Sequence, residues 1–407
     1  MTTFAITNAV LVLPDRVVDR GTLRVHDGII VEIADHPIPV HTTSDVLDAQ
    51  GAYLVPGAID LHNDSLEFEV NPRPGANLPL PFALAAMERR LVGAGVTTEF
   101  HAVAFMERAS ALRSVEGARL RTRYIAKLAK GPACSVEHHV LHRIDVWHPE
   151  ALDAVFDSVS ELGVHYISLN DHTPGQGQYR NVDKLIELSG QMRAMRGAGF
   201  SNEQELLERM RTHAADTEMV PYVYSRVREA QERMPMVIAT HDDDSPEKVD
   251  AQWELGATVA EFPVTFEAAR RARDRGMRIV VGAPNILRGG SQSGNLAASE
   301  LLESGLADII CADYHAPSLF AAAFKFAQDG LLDLPSAVRM VTLNPASALG
   351  FSDRGALQTG LSADVVLLRP DGWGFPHVLA TYRRGHLVFA FGPFAEEPVA
   401  LAAAGER

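Results

Sequence analysis

Cysteine is almost missing from this chain: there are two in 407 residues, Cys134 and Cys311, far apart and without CxxC spacing. That suggests neither a disulfide framework nor a thiolate zinc site, and it reads both thiols as small buried hydrophobes. Long apolar runs are missing too. No stretch approaches the roughly 20 residues needed to cross a bilayer, so a membrane protein is not expected. Basic charge is in deficit, with 37 Lys and Arg against 52 Asp and Glu and a net charge of −15. A nucleic-acid surface must replace the counterions around phosphate with a basic patch, so that partner is not expected either. An anionic substrate would have to meet a local cluster of arginines. The N-terminal MTTFAITNAVLVLPDRVVDRG lacks a basic start, an uninterrupted apolar stretch and a small-residue cleavage site. It reads as a strand and turn, and the expected compartment is the cytoplasm.

What is present is the composition of a globular protein, 46% hydrophobic and 22% charged, with length enough for a large catalytic domain and a smaller attachment. Residues 1–55 alternate apolar and polar in short runs, Thr22–Val25 and Gly28–Ile33 among them. The same texture returns after residue 350 in Ala363–Leu368, Ala380–Arg384 and His386–Phe391. This predicts a small β-sandwich shared by both termini, residues 1–55 with 351–407. The centre, 56–350, repeats a short β-branched run followed by a polar loop and a helical stretch. Eight such runs are legible: Ala58–Leu61, Thr97–Ala104, Ser135–Val146, Tyr166–Leu169, Met236–Thr240, Thr258–Phe262, Arg278–Val281 and Asp308–Ala312. Eight strands alternating with helices predict an α/β fold of the (β/α)8 TIM-barrel type. A doubly wound open sheet is the structural alternative, but no GxGxxG follows an early strand. Between the fourth and fifth strands, residues 182–233 form a long helical insert with a capping-box start at Ser201-Asn-Glu-Gln204. A solvated helix pair, a lid over the substrate and a contact in a homo-oligomer all fit it.

Active sites of such barrels sit at the carboxyl edge of the strands, and here that edge is rich in metal-ligand types. The first strand, in AYLVPGAIDLHND, ends in His62-Asn63-Asp64. His101 lies in the second strand and Asp145 closes the third. Asp171 and His172 follow the fourth, His241, Asp242 and Asp243 the fifth, Glu261 the sixth and Asp313 the eighth. Taken singly, each is explained by a satisfied carboxylate or a helix N-cap. Together they point to one or two divalent ions. Arg73 in NPRPG, Arg180 in QGQYRN and Arg288 in ILRGG fall in loops after barrel strands, where guanidinium groups bind phosphate oxygens. The run Arg288-Gly-Gly-Ser-Gln-Ser-Gly-Asn295 adds Ser291, Ser293 and Asn295 as donors, with small residues that admit close backbone approach.

PGAIDLHND, CADYH with Asp313, NPASALG at Asn344–Gly350 and Gly360-Leu-Ser-Ala-Asp364 resemble the amidohydrolase superfamily over essentially the whole chain. SLNDHTPGQGQYRN, THDD, GAPNILRGGSQSGN and ADYHAPSL resemble its phosphonate-utilisation branch more closely. The resemblance implies a barrel hydrolase with a terminal sandwich. It also implies a diphosphatase whose small-molecule substrate is a ribosyl 5-triphosphate and whose product is pyrophosphate. His62, Asp64 and His241 are the expected ligands, and Asp145 or Asp171 would bridge two ions where relatives use a carbamylated Lys or a Glu. Glu261 stands where many relatives offer a His. Asp313 is the expected general base and a further ligand, while His172 would donate to a departing phosphate oxygen or orient a carboxylate. Gln176 joins Arg73, Arg180, Arg288, Ser291, Ser293 and Asn295 as expected substrate contacts. The superfamily's first-strand motif is His-x-His, and Asp64 replaces its second His. The harder oxygen ligand makes manganese, magnesium or iron fit beside zinc. Hydrolysis of an amide, cyclic imide or nucleobase on the same scaffold is the alternative activity, and it does not call for several loop arginines.

Overall fold

In the computed structural model the residues described are 3–39, 46–73, 75–107, 113–131, 134–162, 164–187, 190, 208, 210–213, 215–291 and 294–395, without the side chains of 393 and 395. Residues 188–189, 191–207, 209 and 214 of the 182–233 insert, including the capping box at 201–204, lie outside them.

Two sheets organise the chain. The first is built from both termini: β1 Thr3–Val12, β2 Val17–His26, β3 Ile29–Ala34, β4 Val46–Asp48 and β5 Tyr53–Pro56 from the start, and β14 Val365–Pro370, β15 Pro376–Arg383 and β16 His386–Ala390 from the end. Its order is β16-β15-β14-β5-β1-β2-β3, with β4 beside β1. The sheet curls on itself, because Ile30 N donates to Leu361 O and Ala363 N to Gly28 O across the ends. The alternating inward residues, among them Ile6, Leu11, Leu23, Val25, Leu54, Val365 and Leu367, make its core.

The second sheet is the barrel. Its strands β6 Ala58–Asn63, β7 Val96–Phe105, β8 Glu137–Asp145, β9 Tyr166–Asn170, β10 Val237–His241, β11 Val259–Glu261, β12 Arg278–Gly282 and β13 Ile309–Cys311 run parallel in chain order. Each observed strand overlaps its expected run. Helices begin where the sequence offers side-chain caps: Ser114, Ser245, Thr265 and Asp333 each accept from the backbone N–H three residues on. Most of the buried apolar cluster lies between strands and helices. A separate cluster, with Leu61, Phe100, Leu141, Tyr166, Val259, Val280 and Cys311, fills the barrel interior, where Phe100 packs edge-on against Tyr166 with ring centroids 5.7 Å apart. The barrel is therefore a packed core, and each such side chain taken from water contributes about 1.5–3 kcal/mol.

Closure between β6 and β13 happens at the carboxyl end only. Asp313 N donates to His62 O and Asp64 N to Asp313 O, both at 2.8 Å. At the amino end Ile59 N donates to Val341 O and Ile310 N to Met340 O, so the short link between the helices Leu334–Arg339 and Leu343–Ala348 wedges between the two strands. The seam that does close is the one carrying candidate site residues.

Candidate metal centre

Three strands deliver the central group. His62 near the end of β6, His241 at the end of β10 and Glu261 at the end of β11 are buried, and one ligand atom from each lies within 4.8 Å of the others. His62 Nδ1 is 3.1 Å from Glu261 Oε1, yet the two are not aligned as a hydrogen bond. Two donor atoms that converge without bonding each other suit a shared cation. Glu261 is itself steered by Tyr166 Oη (3.1 Å) and Ser168 Oγ (2.8 Å), the outer partners that fix a ligand carboxylate. Two buried imidazoles and a carboxylate make a donor set suited to zinc and to other first-row divalent ions. The residues thus fit a divalent ion.

The electrostatics follow from burial. Burial lowers the proton affinity of both imidazoles; His241 falls well below its ordinary range, with Arg143 adding to the effect. For His62 the facing Glu261 carboxylate overcomes burial and holds the ring above the usual value. Burial, with the neighbouring Asp64 charge, pushes Asp313 up to about 7. Burial also raises Asp64.

Arg143, on β8, is the feature the sequence reading missed. Its Nη2 lies 3.4 Å from His241 Nε2, its Nη1 3.7 Å from Asp64 Oδ2, and its Nε and Nη2 both donate to Asn170 Oδ1. A signal was present, since Arg143 sits two residues before Asp145 and two after the inward Leu141 on the same strand face. Phe262 was missed as well. Its ring packs edge-on against His62 and His241 at 5.2 and 5.3 Å, and its backbone has φ 54°. Asp242 and Asp313, which also follow strand ends, share this left-handed conformation at φ 57° and 58°. Aspartate tolerates that region and phenylalanine does not, so strain is concentrated at the ring that walls the imidazoles.

The remaining expected residues divide. Asp313 stands next to Asp64 and Arg143 at the closed seam. Asp64 is placed beside Arg143, outside the three-atom group. Asp145 accepts from His172 Nδ1 (3.0 Å) and Trp147 N (3.0 Å). Against the cost of burial, the His172 bond holds Asp145 well below the usual carboxylate range. Asp171 accepts from Trp147 Nε1 and from Thr173, and with Gln176 it lines a cavity of ≈ 240 Å³ shared with Asp244 and Lys248. Neither Asp145 nor Asp171 joins the three-atom group. His101 is buried on the outer barrel face, against His138. Arg73 and Arg180 are exposed on loops, and the exposed Arg288 donates to Tyr314 Oη at 2.7 Å. Asn295 Nδ2 donates to Gln178 O, tying the loop after β12 to the loop after β9. Ser291 lies at the edge of that segment, and Ser293 lies outside the described residues.

Comparison with known proteins adds four findings. A family model described as Amidohydrolase family matches residues 209–389. The alpha-D-ribose 1-methylphosphonate 5-triphosphate diphosphatase of Escherichia coli (strain K12) is 36% identical over 389 residues, 94% of this chain and 100% of that protein. Among solved structures, the 5-methylcytosine deaminase from Klebsiella pneumoniae superposes with a TM-score of 0.64 at 13% identity, covering 96% of this chain and 98% of that one. The N-acetylglucosamine-6-phosphate deacetylase from Pasteurella multocida gives 0.60 at 14% identity, covering 95% and 99%. At such identities the structures share the fold.

Proposed function

Because the chain belongs to the amidohydrolase superfamily, as a relative of the ribosyl triphosphate diphosphatase over nearly its whole length, we propose that it hydrolyses a phosphoanhydride of alpha-D-ribose 1-methylphosphonate 5-triphosphate and releases pyrophosphate. The observation that carries this reading is Arg143, a guanidinium set among His241, Asp64 and Asn170 in a strongly acidic protein. Charge builds on the non-bridging oxygens when a phosphoryl group is transferred, and a fixed guanidinium stabilises that charge in a water-poor site. An amide substrate develops a single oxyanion and brings none of the standing charge of a triphosphate.

A divalent ion held by His62, His241 and Glu261 would polarise a phosphoryl oxygen and acidify the attacking water. Asp313 takes the water proton, and its raised affinity suits a base working near neutral pH. His172, with its ring fixed through Nδ1 by Asp145, faces the leaving group and hands it a proton. Arg180 and Arg288 extend the cationic surface outward along the triphosphate, and Tyr314 Oη, which accepts from Arg288, holds that guanidinium.

The test is an assay of pyrophosphate release from the ribosyl triphosphate, run beside a panel of cyclic amides and nucleobases. Turnover of the triphosphate is expected. Turnover confined to the amides would overturn the proposal.

A further inference from the structure

A second cluster of ligand-type side chains lies on the outer face of the barrel, and it shares no residue with the His62 group. Glu88 comes from the helix Leu80–Gly93, Cys134 from the segment before β8, and His138 from the second residue of β8. Their carboxylate, thiol and imidazole atoms lie within 4.8 Å of one another. We propose that Glu88, Cys134 and His138 form a zinc site that clips this helix to the barrel wall.

Spacing is the first argument. His138 Nε2 is 3.5 Å from Glu88 Oε1 and has no hydrogen-bond partner among the described residues, although the side chain is only 1% exposed. Two ligand atoms on a tetrahedral zinc, with bonds of about 2.0–2.1 Å, stand about 3.3–3.4 Å apart. The pair keeps the separation of co-ligands. The second argument is the tautomer. His138 Nδ1 is 2.9 Å from His101 Nε2. A proton on His138 Nδ1 donated to His101 leaves the Nε2 lone pair facing Glu88 and Cys134, the arrangement by which an outer partner orients a metal-bound imidazole. The third is rigidity. Glu88 Oε1 accepts from the backbone N–H of Ser135 and Val136, so the carboxylate is pinned to the segment that carries Cys134.

A thiolate, a carboxylate and a neutral imidazole together balance the charge of zinc, and sulfur selects it over magnesium or calcium. Cys134 is half-buried, so an ion can enter from solvent and a water can take the fourth position. The sequence reading treated this thiol as a small hydrophobe; the structure sets it beside an acid and an imidazole. Without an ion the thiol donates to Val136 O, and zinc uptake would release that proton.

The test uses the full chain, stripped with a chelator and reloaded with cobalt(II), which takes zinc sites and reports a thiolate ligand by its near-ultraviolet charge-transfer absorption. The band is expected in the wild type and in H241A, and its loss is expected in C134S. Metal analysis of zinc-loaded protein should show one ion fewer in C134S and in H138Q than in the wild type. Absence of the band from the cobalt-loaded wild type would overturn the proposal, as would its survival in C134S. Neither readout uses hydrolysis, so failure here is distinct from failure of the proposed reaction.

Discussion

A barrel strand displays its chemistry in its last residues, and that is why the sequence was legible at some positions and silent at others. His62, His241 and Glu261 each end or nearly end an apolar run, and strand termination alone brings them together. Arg143 does not end its strand, so its role depends on which face of β8 turns inward, and one apolar neighbour in the sequence was too little to fix that. Substituting Arg143→Met should lower kcat/KM for the triphosphate by about 10²–10³, the scale for losing one fixed charge-stabilising donor, while an uncharged substrate is affected much less. Equal losses on both would remove Arg143 from the phosphoryl site. His142, its neighbour on the opposite strand face, gives a separate prediction. It is fully buried, Nδ1 lies against Tyr166 O and Nε2 against Ser158 Oγ, and burial brings its pKa down from 6.5 to about 4. Above pH 6.5 both folded and unfolded rings are neutral and stability is intact. As pH falls from 6.5 toward 4 the unfolded chain binds the proton first, and roughly 3 kcal/mol is lost. Urea unfolding of His142→Gln across that range should show a shallower pH slope than the wild type; an unchanged slope would exclude His142 as the source.

At the scale of elements, the site depends on how strand ends are joined. Burial of apolar runs made all eight strands readable, because a run of β-branched residues between polar loops has few other solutions. The seam was not readable. It rests on Asp60, whose Oδ1 accepts from Ala312 N (2.9 Å) and His62 N (3.2 Å), bridging β6 to the residue before Asp313. The sequence shows Asp60 only as an acid inside an apolar run. Asp60→Ala leaves two buried N–H groups without acceptors, at about 1–3 kcal/mol each, and lets His62 and Asp313 drift apart. A lower thermal midpoint together with weaker metal binding is expected, and Asp60→Asn, which keeps the accepting oxygen, should restore most of both. If the asparagine variant is as damaged as the alanine variant, the acceptor role is wrong. The left-handed backbone of Phe262 belongs at this scale too, since residue type gives no warning of such a turn.

For the whole molecule, the terminal sheet is continuous with the barrel in sequence and is tied to it by long-range hydrogen bonds such as Gly57 N to Asp364 O. β5 pairs with β14 from Val365↔Pro56 to Leu368↔Tyr53, and only Gly57 separates β5 from β6 and His62. A Cβ at Gly57 would meet the Thr97 side chain at 2.3 Å, so the crossing from one sheet to the other admits no larger residue without displacement. The buried Arg354 guanidinium spans the same junction, donating to Thr98 Oγ1 (3.0 Å) on β7 and pairing with Glu137 (2.9 Å) on β8. Compositional texture told the two regions apart in the sequence, but it carried no information on their coupling, which is made by long-range pairs such as these. The coupling predicts that barrel and terminal sheet unfold together in a single calorimetric transition. Arg354→Met leaves the Glu137 carboxylate to Arg383 and Arg384 and removes the tie to β7. Since breaking a buried pair costs about 3–5 kcal/mol when the partner is stranded, and Glu137 keeps Arg383, Arg384 and His139 as partners here, the whole transition should move down by less than that cost while remaining single. Two resolved transitions in the wild type would show that the sheets are independent, and the short path from β14 through β5 to His62 would then have no energetic consequence for the site.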